Sequence, residues 1–170
     1  MASTPATTRT VRRPAHRDAK SVKADICVLG AGISGVSAAL EAAKLGRSVV
    51  LVDGAPALGG QAIGSIIGTI IGLYTHGPQA YQITHGIADD LIADLTAEGS
   101  LHRRTSALTG TITFQYDEVR LGRWIEQKVD AAGIQAIVGA VVTDVGVGCR
   151  PDGPSAQRGA GDQVARRRLA

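Results

Sequence analysis

Aromatic residues are scarce in this 170-residue chain, at 3% of the total, with one Trp, one Phe and three Tyr. The length is sufficient for one ordinary domain, whose core must then consist mainly of Ala, Val, Ile and Leu. Cysteines are also few, and the two present, Cys27 and Cys149, have neither a metal-binding spacing nor a disulfide framework. Cys27 lies in an apolar run and is expected to be a small buried residue. This cysteine usage favours a cytoplasmic protein over a disulfide-rich secreted one.

The sequence also lacks a long hydrophobic run. The uncharged segment 55–75 contains Gly64, Gly68 and Gly72 at the four-residue spacing of packed membrane helices. Its continuous apolar part, however, is only about half of the roughly 20 residues that a membrane span requires. We therefore predict that this segment is buried or faces a ligand, and we expect no membrane partner.

Basic charge is missing from the centre of the chain, although the net charge is +3. The segments 1–23 and 146–170 carry most of the basic side chains, and residues 24–145 hold 7 bases against 12 acids. An acidic centre argues against a nucleic-acid surface on the folded part. Contact of the basic ends with nucleic acid or an anionic membrane is an alternative that the composition leaves open.

Composition divides the chain into three segments. Residues 1–23 are predicted to be a disordered basic leader, 24–147 a folded domain, and 148–170 a disordered tail rich in Arg, Gly, Pro and Gln. The change of character after Val147 predicts that the domain is incomplete at its C-terminus. A truncated or shifted reading frame is one explanation.

Apolar periodicity predicts an α/β fold. Residues 24–29 and 48–52 are apolar runs typical of central parallel strands buried on both faces, and a right-handed crossover through a helix would place them side by side. The segment 54–77 is predicted to be a loop. The remaining predictions are helices at 36–45, 81–98 and 118–132, the last capped by Asp117, and strands at 111–116, 134–138 and 140–147.

A glycine turn joins the first strand to the first helix, with the sequence Gly30-Ala31-Gly32-Ile33-Ser34-Gly35. Gly30 permits the tight turn, Gly32 leaves room for a pyrophosphate, and Gly35 allows the helix to pack closely on the strand. The N-terminus of the helix offers unpaired N–H groups and a partial positive charge to a diphosphate. These six residues are therefore predicted to bind a dinucleotide.

Asp53 ends the second strand, 18 residues beyond Gly35. At that position a carboxylate can accept hydrogen bonds from both hydroxyls of an adenosine ribose. The alternative interpretation is an ordinary glycine turn with a capping acid.

The extended pattern resembles that of FAD-dependent oxidoreductases with the glutathione-reductase-like fold. The pattern runs Gly30-x-Gly32-x₂-Gly35-x₃-Ala39-x₆-Gly46, and a second glycine pair, Gly59-Gly60, follows the acid. The resemblance implies a Rossmann-like, three-layer FAD/NAD(P)-binding domain with a parallel sheet. It also implies FAD as the cofactor, with contacts from Gly54, Gly59, Gly60 and Gln61 in addition to the turn and Asp53.

Two features depart from that family. Asp53 stands where the family usually has Glu, and the later Gly-Asp strand and substrate domain of complete members are not found. The resemblance therefore implies a fragment that supplies the ADP-binding part of the FAD site, completed by a second copy or another chain. A nicotinamide-dependent Rossmann enzyme, for which Asp53 is equally suitable, and a non-catalytic relic of a flavoprotein are the alternatives.

No catalytic residue or substrate is assigned. The titratable or aromatic groups near the predicted flavin-side loop are Tyr74, His76, Tyr81 and His85. Among these, His76 is a candidate flavin contact, whereas His85 is expected to be structural or exposed. The pair Arg103-Arg104 is interpreted as solvated, and the acidic residues Asp89, Asp90 and Asp94 as the polar face of a helix rather than a metal site.

Overall fold

The computed structural model describes residues 20–146. All of the helices and strands lie within residues 22–141, which form one unit. The predictions for the tail and for Cys149, and nearly all of those for the leader, lie outside the described residues. Within residues 20–146, no helix has the length and apolarity needed to cross a membrane.

This unit contains six strands and four helices. The strands are β1 (Ile26–Leu29), β2 (Val49–Val52), β3 (Thr69–Ile71), β4 (Leu101–Thr105), β5 (Ile112–Tyr116) and β6 (Gln135–Ile137). The helices are α1 (Ile33–Lys44), α2 (Gln61–Gly64), α3 (Ile87–Ala97) and α4 (Glu118–Ala131).

The parallel sheet has the order β1-β2-β6. Ile26 pairs with Val49, and Val52 pairs with Ile137, so the predicted side-by-side arrangement of the first two strands is confirmed. All four residues of the central strand β2 are buried. The mixed α/β class with a parallel sheet is therefore as the sequence predicts.

Strand β1 is not the central, fully buried strand that its apolar sequence predicts. Ile26 is 37% and Leu29 is 51% exposed, and Cys27 is exposed as well, so the prediction of a buried cysteine is wrong. The reason is the strand order, because among residues 20–146 β1 has a neighbouring strand on one edge only, β2. An apolar strand is buried on both faces only when the layers beyond it are present.

A second, antiparallel sheet with the order β3-β5-β4 was not predicted, apart from strand β5. Strand β3 lies within the predicted loop 54–77, and four of the five residues of β4 are exposed. Both strands pair residue by residue with β5, whose Ile112, Phe114 and Tyr116 are buried. Their formation depends on β5, which is distant from β3 in sequence, rather than on their own periodicity.

Helix α3 begins six residues later than its apolar pattern predicts, at Ile87 rather than residue 81. Gly86 precedes it with φ 77°, a left-handed conformation that interrupts helical geometry, and the Asp89 carboxylate caps the helix by accepting from Gly86 N at 2.9 Å. Ile83 consequently lies outside the helix and is 54% exposed.

Helix α4 agrees with its prediction. Asp117 is its N-cap, and its carboxylate accepts from Arg120 N at 2.9 Å. The predicted apolar face is buried, and consists of Leu121, Trp124, Ile125 and Val129.

The chain after β6 does not form the predicted strand over residues 140–146. Instead, Gly139 N donates to Ala55 O at 2.8 Å and Ala140 N donates to Asp53 O at 3.1 Å. The backbone after β6 therefore holds the loop that follows β2.

Candidate functional site

The glycine turn lies at the carboxyl end of β1, as predicted. Gly30 N donates to Val52 O at 2.8 Å, and the first intrahelical bond of α1 runs from Val36 N to Gly32 O at 2.9 Å. Gly32 is the N-cap, no side chain caps the helix there, and its first turn contains no acidic residue. The partial positive charge of the helix N-terminus is thus uncompensated by the side chains of its own first turn.

Two glycines of the turn have different surroundings. A Cβ at Gly35 would lie 1.8 Å from Gly30 O and 3.4 Å from Val28 Cγ1, so this glycine allows α1 to pack against the end of β1. A Cβ at Gly32 would meet no atom within 4 Å. Gly32 therefore faces open space at the helix N-terminus, where a diphosphate can approach the backbone.

Asp53 connects the turn to the loop after β2. Its carboxylate accepts from Ala31 N through Oδ2, and from Ala55 N at 2.7 Å through Oδ1. The backbone donors Ala55 and Ala31 lower the pKa of Asp53 below its usual value, so the group is ionised at neutral pH. A carboxylate has about four acceptor positions, which leaves capacity for ligand hydroxyls.

The second glycine pair packs backbone to backbone on the turn. Gly59 N donates to Ala31 O at 2.7 Å, and Gly59 forms a parallel bridge with Gly32. A Cβ at Gly60 would lie 2.9 Å from Gly32 Cα. Glycine is therefore required at residue 60 by close approach of the two loops, a constraint that the sequence motif alone does not show.

The structure brings most of the predicted site residues together. The turn residues Gly30–Gly35, Asp53, Gly59 and Gly60 are joined by the hydrogen bonds and contacts above. Gly54 directly follows Asp53 and is exposed, and Gln61 begins α2 directly after the glycine pair and is exposed as well. Their contact with a cofactor remains a prediction.

Tyr116 also supports the site, and sequence reasoning placed it only in a strand. Its hydroxyl donates to Ala62 O in α2 at 2.8 Å, and burial raises the pKa of this phenol. It therefore fixes the helix that follows the second glycine pair. The only signal in the sequence is a tyrosine at the end of an alternating strand, which does not identify its partner.

The two histidine candidates have different surroundings. His76 Nδ1 lies 3.0 Å from Thr111 Oγ1, and the ring is exposed, so its role as a flavin contact remains a prediction. His85 lies in the segment before α3 and lines a cavity beside α1.

The remaining charged candidates interact with protein groups. Arg103 lies over the ring of Tyr74, 5.8 Å from its centroid, and Arg104 donates to Gln115. Asp94 accepts from Trp124 Nε1 at 2.8 Å and forms an ion pair with Lys128 at 2.9 Å, which links α3 to α4. Between residues 20 and 146, no group of three or more His, Cys, Asp or Glu side chains is arranged to hold a metal ion.

Solved structures with a similar fold are two to five times longer than the segments that match. The THI4 protein of Thermovibrio ammonificans is 19% identical, with a TM-score of 0.46 over 73% of this chain and 43% of its own. A geranylgeranyl bacteriochlorophyll reductase-like protein of Thermoplasma acidophilum is 17% identical, with a TM-score of 0.43 over 75% of this chain and 32% of its own. The L-amino acid deaminase of Proteus vulgaris is 13% identical, with a TM-score of 0.42 over 82% of this chain and 44% of its own. The chain thus spans less than half the length of each.

A search of curated protein sequences gives no significant match. The family model described as FAD dependent oxidoreductase, in contrast, matches residues 25–165. This match begins one residue before β1 and includes the glycine turn, Asp53 and the second glycine pair. Because this family model matches most of its length, the chain belongs to the FAD dependent oxidoreductase family, whose cofactor is FAD.

Proposed function

We propose that this chain supplies the ADP-binding part of the FAD site of an oxidoreductase whose substrate is not assigned. The observation that carries the proposal is the open space at Gly32, where an added Cβ would meet no atom within 4 Å. This space lies at the N-terminus of α1, which carries no side-chain cap and no acid in its first turn. A diphosphate is the ligand that such a helix end accepts.

The other site residues have complementary roles in this proposal. The ionised Asp53 receives the hydroxyls of the adenosine ribose, because its two backbone donors hold it beside the turn. Gly59 and Gly60 keep the following loop close to Gly32, and Gly54 and Gln61 line the exposed end of the site. FAD supplies the redox chemistry when bound, and the protein supplies placement and electrostatics.

A second copy or a further chain completes the enzyme in this proposal. The observation that supports it is the exposure of apolar side chains on β1, at Ile26 and Leu29. A cytoplasmic location is part of the same proposal. It is supported by the free, exposed thiol of Cys27, which reducing conditions preserve.

The test is a binding titration of the purified chain with FAD, followed by flavin fluorescence, with ADP and NAD as competitors. We expect FAD to bind and ADP to compete, because the ADP half carries the contacts. Gly32→Val should abolish FAD binding, since a branched side chain would occupy the approach of the diphosphate.

The matched control is Ala38→Val, which places the same side chain on the exposed face of α1 and should leave FAD affinity unchanged. Undiminished affinity of Gly32→Val would show that the cofactor lies elsewhere. Failure of the unmodified chain to bind FAD would favour a relic without cofactor, and binding of NAD in preference to FAD would favour a nicotinamide-dependent enzyme.

A further inference from the structure

A cavity of about 650 Å³ lies beside the glycine turn. Its walls come from α1, α2, β3 and the start of α3, and they are mainly aliphatic. The large apolar side chains that line it include Ile33, Ile67, Ile70, Leu73, Ile87 and Leu91. A volume of roughly 300–1,000 Å³ with apolar walls is typical of small-molecule sites.

One end of the cavity coincides with the proposed cofactor site. Ile33 lines it and directly follows Gly32, and Gln61 lines it and directly follows Gly60. A molecule in the cavity would therefore lie next to a dinucleotide bound at the turn. Tyr116, which fixes α2, also lines the cavity, so the same contact shapes both sites.

The charged side chains around the cavity have a net negative charge. Among the lining residues, all of which lie in the described part of the chain, none is Lys or Arg, and Glu41 is the only carboxylate. The nearby cation Lys44 is shared between Glu41 at 3.4 Å and Asp90 at 3.2 Å, which leaves this group of three with a net negative charge. His85 also lines the cavity and lies 3.4 Å from the ionised Asp89.

These charges discriminate between classes of ligand. A carboxylate or phosphate brought into the apolar part would lose hydration without gaining a cationic partner. An ammonium group would gain the Glu41 carboxylate, whose side chain is 52% exposed and accessible from the cavity mouth. For an uncharged hydroxyl, these charges would change the binding free energy little.

We propose that this cavity is the substrate pocket of the oxidoreductase, and that it takes a molecule with an apolar body and a cationic or uncharged polar end, an amine before an alcohol. Anionic substrates are excluded. The assignment to substrate rests on the proposed FAD function, whereas the ligand class rests on the cavity itself.

The experiment uses three probes that share one apolar body: the amine 1-naphthylmethylamine, the alcohol 1-naphthalenemethanol and the carboxylate 1-naphthaleneacetate. Their binding to the purified chain is measured by calorimetry, with and without saturating FAD. We expect the amine to bind most tightly and the acetate about tenfold or more weakly, in agreement with the missing cation. Glu41→Gln should weaken the amine by about threefold to tenfold and leave the alcohol unchanged.

Two alanines of α3 provide a matched pair of blocking variants. Ala88 lines the cavity, and Ala93 is exposed on the same helix and does not line it. Ala88→Phe should abolish binding of all three probes, and Ala93→Phe should bind them normally. Circular dichroism and the fluorescence of Trp124 verify that both variants are folded.

The two proposals fail in distinguishable ways. Absence of probe binding to a chain that binds FAD would overturn the pocket and retain the cofactor site. Displacement of the probes by FAD but not by ADP would show that the flavin ring fills the cavity, and would also overturn the substrate assignment. Probe binding in the expected order by a chain that binds no FAD would refute the FAD function and with it the substrate role. A preference for the acetate would refute the charge argument.

Discussion

Substitution of two glycines in the same turn by alanine should separate stability from cofactor binding. At Gly35, an added Cβ would lie 1.8 Å from Gly30 O, a backbone atom that cannot rotate away. At Gly32, an added Cβ would meet nothing within 4 Å, and φ of −67° is acceptable to alanine. The structure therefore predicts that Gly35→Ala damages the fold, whereas Gly32→Ala damages only the site.

The magnitudes follow from the geometry. A carbon and a carbonyl oxygen approach to about 3.3 Å at the closest, so α1 and the turn would have to separate by about 1.5 Å in Gly35→Ala. Overpacking of this kind costs about 1–3 kcal/mol and sometimes more, and the better helix propensity of alanine returns up to about 1 kcal/mol. We expect a net loss near 2 kcal/mol, which lowers the urea midpoint by about 1 M for a slope of about 2 kcal/mol/M.

Gly32→Ala should lower the free energy of unfolding by no more than about 1 kcal/mol, because its Cβ meets no neighbouring atom and the poorer N-cap preference of alanine is the remaining cost. Its methyl group, however, points into the space that the diphosphate needs, and FAD affinity should fall by at least about tenfold, or 1.4 kcal/mol. Urea unfolding and FAD titration of both variants are the assays. Equal stability of Gly35→Ala and the unmodified chain would refute the packing argument, and unchanged FAD affinity of a folded Gly32→Ala would refute the location of the diphosphate.

Three further substitutions test the supports of the site. Asp53→Ala should lower the free energy of unfolding by about 1–3 kcal/mol at neutral pH, because the buried N–H of Ala31 loses its acceptor. The pKa of Asp53 in the folded protein lies below its ordinary value of 3.8. The stabilisation by its carboxylate is therefore complete above pH 3.8 and is lost as the pH falls through the folded pKa. The free energies of unfolding of variant and parent, measured in urea, should consequently converge in acid. Trp124 is the only tryptophan, so its fluorescence reports on its own surroundings. The hydrogen bond from Trp124 is the main cause of the lowered pKa of Asp94, and Trp124 emission should therefore shift when Asp94 is protonated in acid. Asp94→Asn should abolish this shift, and a shift that persists in the variant would belong to another group. Tyr116→Phe should cost about 0.5–1.5 kcal/mol in urea unfolding, from the lost hydrogen bond to α2, and no loss would show that water replaces the hydroxyl.

The parts of the fold that sequence predicts well are those governed by local rules. Helix α4 has a capping aspartate, Asp117, and an apolar face at helical spacing, and both are observed. Strand β2 and the turn after β1 follow the same logic, since a short apolar run and closely spaced glycines determine backbone geometry within a few residues. In helix α3 the apolar spacing starts too early, because Gly86 determines where the helix begins.

The features that sequence reasoning missed depend on distant partners. Strand β4 has the sequence LHRRT, which carries no apolar alternation, and it exists because β5 pairs with it. The cavity beside α1 is likewise formed by segments separated by up to about ninety residues, from Ile33 to Leu121. Periodicity within a window reports which face of an element is apolar, but it cannot report which other element covers that face.

The glycine turn and the second glycine pair, Gly59-Gly60, show how much of the site a sequence motif can specify. The first motif predicts correctly that Gly32 is open and Gly35 is packed, because strand, turn and helix are contiguous. The role of Gly60 is different: it lies in the loop after β2, and its missing side chain lets that loop contact Gly32 at a distance that no Cβ tolerates. Gly59 N also donates to Ala31 O, and the Asp53 carboxylate accepts from Ala31 N. The loop between β2 and α2 therefore binds both backbone polar groups of the buried turn residue Ala31. The turn is thus held in its observed conformation by residues more than twenty positions away. For this reason we expect substitutions at Asp53 or Gly60 to weaken FAD binding at the proposed site even when the glycines of the turn are intact.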